Sequence, residues 1–176
     1  MAEPYHKQQT QRLNEAATPS TPASAVEGEL PTRLKETSGQ EALKEVLAIL
    51  RAQSWHLQSL HWKVKGSDFY ELHLLFERLY GGLGAEIDTL AEKLVGYFGP
   101  EAVAMDDSMT RAHKWIKEWK GEPVAAALAA EKHIQAVFRH AYDTLSEAKE
   151  LSLGLDDYLM ATANAHETNL YLLGQI

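Results

Sequence analysis

Helical periodicity runs almost without interruption from residue 38 to residue 176, and it limits the chain to all-helical folds. The residues Ser38-Gly39-Gln40-Glu41 have the spacing of a capping box, which predicts a helix N-terminus. Apolar residues then recur at three- and four-residue spacing, and this first helix is expected to end near Gly66. We predict further long helices from Asp68 to about Phe98, Pro123 to about Leu151 and Leu155 to about Leu173, with a short helix over 108–119.

The connections between these segments predict the fold class. They are short, except for one long crossing between the second and third long helices, which contains the short helix. A long crossing favours a ferritin-like four-helix bundle over simple up-down packing. We assign residues 34–176 to this all-α bundle. Residues 1–33 carry prolines among Gln, Thr, Ser and Ala, with few large apolar residues, and we predict a disordered N-terminal tail there.

Composition excludes several classes of function. The chain has no cysteine, which excludes disulfides, thiolate zinc sites and thiol catalysis. The longest apolar runs are too short for a membrane span, and no apolar signal segment is visible, so we expect a cytoplasmic location without membrane contact. Lys and Arg total 17 against 25 Asp and Glu, and a net charge of −8 is not typical of a generic nucleic-acid binder.

Four ionisable residues share one stripe of the second long helix. His73, Glu77, Asp88 and Glu92 fall within about 100° of arc when each residue turns by about 100°. They form two pairs at i,i+4 spacing, and each pair is close enough to bind one cation. Imidazole and carboxylate ligands suit iron or manganese. The alternative is a stripe of solvated or purely structural ion-pairing residues, which is the usual role of carboxylates on a helix.

One helix cannot bring both pairs to a single metal centre. Glu77 and Asp88 are eleven residues apart, roughly 16 Å along the axis. A second copy packed antiparallel across a two-fold axis would join each pair with the other pair of its partner, which generates two identical sites. The midpoint of the stripe lies beside Gly81, Gly82 and Gly84. We expect these glycines to allow close approach of the two helices at the axis.

The segment from residue 61 to residue 93 resembles the Dps family, the mini-ferritins of starved bacteria. The family motif is His-Trp-x-x-x-Gly, a second histidine twelve residues after the first, an acid four residues later, and then Asp-x-x-x-Glu. All of these spacings occur in this chain. The residue types match as well, except that Glu77 replaces the usual aspartate. The matching positions are His61, Trp62, Gly66, His73, Glu77, Asp88 and Glu92.

This resemblance implies a hollow dodecamer that oxidises Fe²⁺ at two-fold interfaces and stores ferric iron inside. Hydrogen peroxide would be the usual oxidant and dioxygen the other candidate. His61, His73 and Glu77 would bind iron from one subunit, and Asp88 and Glu92 from its partner. Trp62 would intercept one-electron oxidants, or would simply pack in the core. The longer arm of Glu77 would still bind iron but would shift or weaken the second iron position.

Other positions are less specific. No Glu-x-x-His spacing occurs in residues 34–176, which disfavours a di-iron site inside one bundle. The resemblance suggests acidic pores for iron entry, and Asp157, with Asp156 and Glu150 nearby, is the best match, although acids at a helix start are also favoured by the helix dipole. Histidines 56, 113, 133 and 140 are interpreted as structural, and His166 and Glu167 are expected to face the interior.

DNA binding is the alternative function. Family members that condense DNA commonly use tails rich in Lys and Arg, whereas residues 1–33 carry a net charge of −1. We therefore expect weak or no DNA binding at physiological salt. The alternative is a non-enzymatic nucleoid protein that binds DNA through its N-terminal tail.

Overall fold

The computed structural model describes residues 28–34 and 37–176, and within these ranges the chain forms helices and connections without a β-strand. Short 3-10 turns lie at Thr32–Leu34 and Pro100–Val103. The predicted all-α fold is confirmed. Residues 1–27 of the predicted tail lie outside the described residues. The α-helices are α1 (Gly39–Lys63), α2 (Phe69–Gly81), α3 (Leu83–Phe98), α4 (Met105–Glu118), α5 (Pro123–Glu147) and α6 (Leu153–Leu173).

Local capping explains where the helices begin. The Ser38 side chain accepts a hydrogen bond from the Glu41 backbone N–H at 3.3 Å, as the capping-box spacing predicts. Ser152 caps α6 in the same way through the Leu155 N–H. Pro123 is the first residue of α5, where its missing N–H is not needed. The first helix ends at Lys63, shortly before Gly66, whose positive φ of 94° favours glycine.

The second long helix differs from its prediction. It is interrupted at Gly82, so that α2 ends at Gly81 and α3 begins at Leu83. Gly82 keeps right-handed helical angles (φ −81°, ψ −24°), and the chain continues in nearly the same conformation. The interruption is understandable because adjacent glycines stabilise a helix least. Two other boundaries also differ: the short helix begins earlier, at Met105, and α5 ends earlier, at Glu147.

Helix α1 is the centre of the bundle and contacts α2, α3, α4 and α5, while α6 packs on α5. Its apolar face is fully buried, and each such side chain stabilises the fold by roughly 1.5–3 kcal/mol. No helix in the described ranges is both long enough and apolar enough to cross a bilayer. Fully buried side chains of the core include Leu43, Leu50, Leu57, Phe76, Leu90, Leu94, Trp115 and Ile134.

Residues 28–34 pack against the bundle, and we call this segment the strap. The Gly28 N–H donates to the Lys132 carbonyl oxygen at 2.8 Å, and Leu34 is buried in the core. Arg33 donates to Glu118 of α4 at 2.8 Å. The predicted boundary at residue 33 therefore needs correction, because residues 28–33 contact α4 and α5 rather than extending from the bundle.

Candidate metal centre

The two histidines of the motif lie together and fix each other's orientation. His61 lies in the last turn of α1, and His73 lies in α2. The His61 Nδ1–H donates to the His73 carbonyl oxygen at 2.8 Å, and the His73 Nδ1–H donates to the His61 carbonyl oxygen at 2.9 Å. A carbonyl oxygen can only accept, so both Nδ1 atoms carry hydrogen. The lone pair of each neutral ring is then on Nε2, which is the atom free to bind a metal.

Aromatic contacts hold this histidine pair on both sides. The two imidazoles stack with centroids 3.6 Å apart and planes 22° apart. Phe69 stacks on His73 at 5.0 Å, and Tyr80 meets the edge of His61 at 5.5 Å. His61 is buried, whereas His73 is half-buried. The four rings restrict rotation of both histidines, so the orientation of their Nε2 atoms is set before any ligand arrives.

The acids of the motif are not gathered at the histidine pair within one chain. Glu77 lies one helical turn after His73 and is exposed, and Asp88 and Glu92 are exposed on α3. Among residues 28–34 and 37–176, no three or more His, Asp or Glu side chains are arranged to hold a metal ion. One chain thus presents two separate halves, the histidine pair with Glu77 on one side of Gly82 and the two carboxylates on the other.

The surface around the histidine pair is open and apolar. Trp62 is 70% exposed, so the core-packing role considered for it is wrong for a single chain. Phe69, Tyr70 and Leu74 are also exposed. Together with Trp62 they form a patch that we call the apolar surface. A Cβ atom added at Gly81, Gly82 or Gly84 would meet no other atom within 4 Å. The glycines therefore satisfy no packing requirement within one chain.

A second cluster of ionisable groups is buried in the centre of the bundle. His166 of α6 is 1% exposed and Glu131 of α5 is fully buried, with His166 Nδ1 2.5 Å from a Glu131 carboxylate oxygen. His166 Nε2 lies 3.2 Å from a Glu86 oxygen of α3. Gln53 of α1 and Asn169 of α6 each donate an amide hydrogen to Glu131, at 3.1 and 3.2 Å. We call these five residues the central network.

His166 is positively charged in this environment. Burial alone would lower its pKa, but the carboxylates of Glu131 and Glu86 outweigh burial and raise the pKa of His166 to about 10. Both ring nitrogens therefore carry hydrogen and neither is free to bind a metal. The buried cluster around His166 is thus a set of structural ion pairs, and it lies apart from the stripe of His73, Glu77, Asp88 and Glu92. The signal in the sequence was a single acid, Glu131, on the alanine-rich buried face of α5.

The residues considered for iron pores lie near the α5–α6 turn. Asp157 is exposed in the first turn and a half of α6, with the half-buried Asp156 beside it. Glu150 lies against Gly39, where its carboxylate meets the N-terminus of α1. Glu150 thus lies close to the start of α1 in the same chain, and a pore at these residues stays a prediction.

Comparisons with known proteins bear on the family. No family model matches the chain. General stress protein 20U of Bacillus subtilis is 37% identical over 100 residues, covering 57% of this chain and 62% of that protein. The DNA protection during starvation protein of Brevibacillus brevis is 36% identical over 74 residues, covering 42% of this chain and 48% of that protein. The matches thus span half to three fifths of these relatives' lengths.

Solved structures share the fold. Dps from Thermosynechococcus elongatus has a TM-score of 0.68 at 24% identity, covering 82% of this chain and 92% of that one. A Dps protein from Vibrio cholerae, described as a member of a broad superfamily of ferritin-like diiron-carboxylate proteins, has a TM-score of 0.67 at 20% identity, covering 85% of this chain and 96% of that one. At these identities the likeness shows the ferritin-like bundle alone. The relatives in sequence that are named for DNA protection during starvation are in keeping with the resemblance to the Dps family.

Proposed function

We propose that this protein is a ferroxidase that oxidises Fe²⁺ at sites shared between two-fold related copies and stores ferric iron inside a homododecameric shell. The observation that carries the proposal is the histidine pair. Its two Nε2 atoms are held ready for a metal by reciprocal backbone hydrogen bonds, although the chain has no carboxylate partners for them in the described residues. This geometry supports a metal centre whose remaining ligands would come from elsewhere.

A second copy is the natural source of the missing ligands. The pair Asp88 and Glu92 lies on α3 at the same i,i+4 spacing as His73 and Glu77 on α2. The two pairs lie on opposite sides of Gly82, so a two-fold axis near Gly82 would exchange them between two antiparallel copies. Each pair of copies would then contain two equivalent sites, with iron bound by His61, His73 and Glu77 of one copy and by Asp88 and Glu92 of the other.

The surface beside the histidine pair supports a partner at this position. Large exposed apolar side chains next to a polar cluster are typical of an interface, because exposure of an apolar patch to water is unfavourable. Trp62, Tyr70 and Leu74 supply such a patch. The open backbone at Gly81 and Gly82 would let the facing helix approach closely. Packing among residues 28–34 and 37–176 does not account for these features, and an interface would.

The proposed reaction conserves atoms and charge. Two Fe²⁺ ions each lose one electron, the O–O bond of hydrogen peroxide breaks, and two protons are taken up to give two Fe³⁺ and two water molecules. Because the two electrons are transferred at one shared site, hydroxyl radical is not released. Dioxygen is the other candidate oxidant. Trp62, adjacent to His61 and exposed, is suited to reduce one-electron oxidants that escape, and protection from oxidative stress would follow.

The test is anaerobic addition of Fe²⁺ followed by substoichiometric peroxide, with ferric absorbance read over time and bound iron measured after gel filtration. We expect oxidation faster than in buffer, with iron eluting in a shell of twelve 19.6 kDa chains, about 235 kDa. Asp88→Asn should abolish the acceleration, while Asp106→Asn on α4 is a matched control that should not. An intact shell that does not accelerate oxidation would refute the proposal.

A nucleoid role without enzymatic activity is the second candidate. The relatives named for DNA protection are the only observation that favours it. A net charge of −8 per chain opposes binding to phosphates, so we do not expect it to be the main function.

A further inference from the structure

The strap passes directly over the imidazole of His133. The Gly28 N–H donates to the Lys132 carbonyl oxygen at 2.8 Å, which places the strap backbone against α5. A Cβ atom added at Gly28 would lie 2.8 Å from His133 Cδ2 and 3.1 Å from the His133 backbone nitrogen. Only glycine fits at this crossing without a shift. The strap and the His133 ring are therefore in direct contact, and a change at the ring acts on the strap.

The hydrogen bonding around His133 requires its neutral form. The Trp119 indole Nε1–H donates to His133 Nδ1 at 3.0 Å. Because an indole nitrogen can only donate, Nδ1 must carry the lone pair and the ring hydrogen must be on Nε2. Burial lowers the pKa of His133, the nearby Glu118 carboxylate opposes this effect, and the Arg33 guanidinium adds to it. The neutral ring is thus favoured at neutral pH.

Protonation of His133 would act on the strap at Gly28, which lies against the ring, and at Arg33. An N–H on Nδ1 would face the Trp119 N–H, and the hydrogen bond between them would be lost. The new positive charge would also repel Arg33, which lies 4.5 Å over the Trp115 ring, whose centroid is 5.4 Å from that of His133. The charged and titratable groups around this position are Arg33 of the strap, Glu118 of α4, Glu45 and His56 of α1, and Lys132 of α5.

The other ionisable groups around His133 are explained by burial or by ion pairs of their own. Burial and the charge of Lys63 lower the pKa of His56 to about 4. Glu118 forms an ion pair with Arg33 at 2.8 Å. Glu45 accepts a hydrogen bond from Trp115 and forms an ion pair with Arg111. His133 is thus the titratable group at this position whose protonation state is tied directly to a hydrogen bond, the one donated by Trp119.

We propose that the strap is a pH-sensitive latch, in which neutral His133 holds residues 28–34 closed and protonated His133 releases them and uncovers Trp115. This device is independent of the iron chemistry proposed above, since it lies on α4 and α5 rather than at the histidine pair. It would couple the attachment of the N-terminal segment to acidification.

A spin label on the strap tests the latch. The chain has no cysteine, so Glu29→Cys in the exposed part of the strap provides one labelling site on the full chain. We expect an immobilised nitroxide spectrum at pH 8 and loss of the immobilised component on acidification toward pH 5, with a midpoint below 6.5. Helicity measured by circular dichroism should stay constant over the same range. A label that stays immobilised down to pH 5, or helices that melt with it, would overturn the proposal.

Three variants identify the sensor. His133→Gln keeps an acceptor for Trp119 but does not titrate, and its strap should stay immobilised at every pH tested. His140→Gln is the matched control, because His140 is also on α5 and contacts Thr37, and it should release like the parent chain. Trp119→Phe removes the donor that favours the neutral ring, so release should shift to higher pH, which tests the latch even if His133→Gln does not fold. Release by His133→Gln, or an unchanged midpoint in Trp119→Phe, would overturn it.

Discussion

The proposed sharing of a metal centre between two copies predicts complementation between two inactive variants. His73→Gln removes a ligand from the histidine half, and Asp88→Asn removes one from the carboxylate half. A homogeneous shell of either variant should be inactive, since every site lacks one ligand. In a mixed pair, one site contains both lesions and the other contains neither. Random co-assembly at equal amounts makes about half of the pairs mixed, so about one quarter of all sites should be intact.

The assay is the initial rate of ferric absorbance after anaerobic Fe²⁺ loading and substoichiometric peroxide, in shells from coexpressed variants. We expect about one quarter of the parent rate per shell, well above either variant alone. Coexpression of His73→Gln with Glu77→Gln is the matched control and should not recover activity, because both ligands belong to the same half. If the first mixture stays inactive, or if the control recovers equally, the two-fold assignment of ligands is wrong.

Three further predictions concern stability, assembly and DNA. His166 contributes stability that is complete below its ordinary pKa of 6.5 and is lost as pH rises through about 10, so the free energy of unfolding should fall across that range. His166→Gln leaves buried carboxylates unpaired, which should cost about 3–5 kcal/mol in urea unfolding at pH 7 and reduce this pH dependence, whereas the exposed His113→Gln should do neither. Gly82→Leu should leave the helicity of the chain unchanged but prevent assembly in gel filtration, and an intact iron-binding shell would contradict the close approach proposed there. Plasmid DNA should not be retarded on a gel in about 0.15 M salt, and strong retardation would favour the nucleoid function.

Local signals predicted most of the fold. Ser38 caps the N-terminus of α1, and Pro123 begins α5 at a position where no backbone N–H is needed. Both rules depend only on neighbouring residues. The interruption at Gly82 was missed because apolar periodicity continues through it, and periodicity does not report the backbone hydrogen bonds. The strap was missed for a different reason. Its composition resembles a tail, and its attachment depends on Arg33 and Gly28 meeting partners far along the chain.

The candidate site also has a part that the sequence predicts and a part that it does not. Helical spacing placed His73 and Glu77 on one stripe, and the family motif added His61. The reciprocal hydrogen bonds between the two histidines could not be predicted, because they depend on how α2 returns past the end of α1. Glu131 and His166 are 35 residues apart on different helices, so no spacing rule joins them.

The central network has a consequence for how the chain folds. Each of the four long segments of the bundle contributes at least one group to it, namely Gln53, Glu86, Glu131 and, from α6, both His166 and Asn169. A partly assembled bundle would contain a buried charge without its partners, which is costly until the last helix docks. Intermediates that lack any one helix are therefore disfavoured, and folding of the bundle should be close to all-or-none. Few half-formed subunits would then persist. The apolar surface would therefore meet mainly other complete subunits, and it would seldom lead to aggregation of incomplete ones.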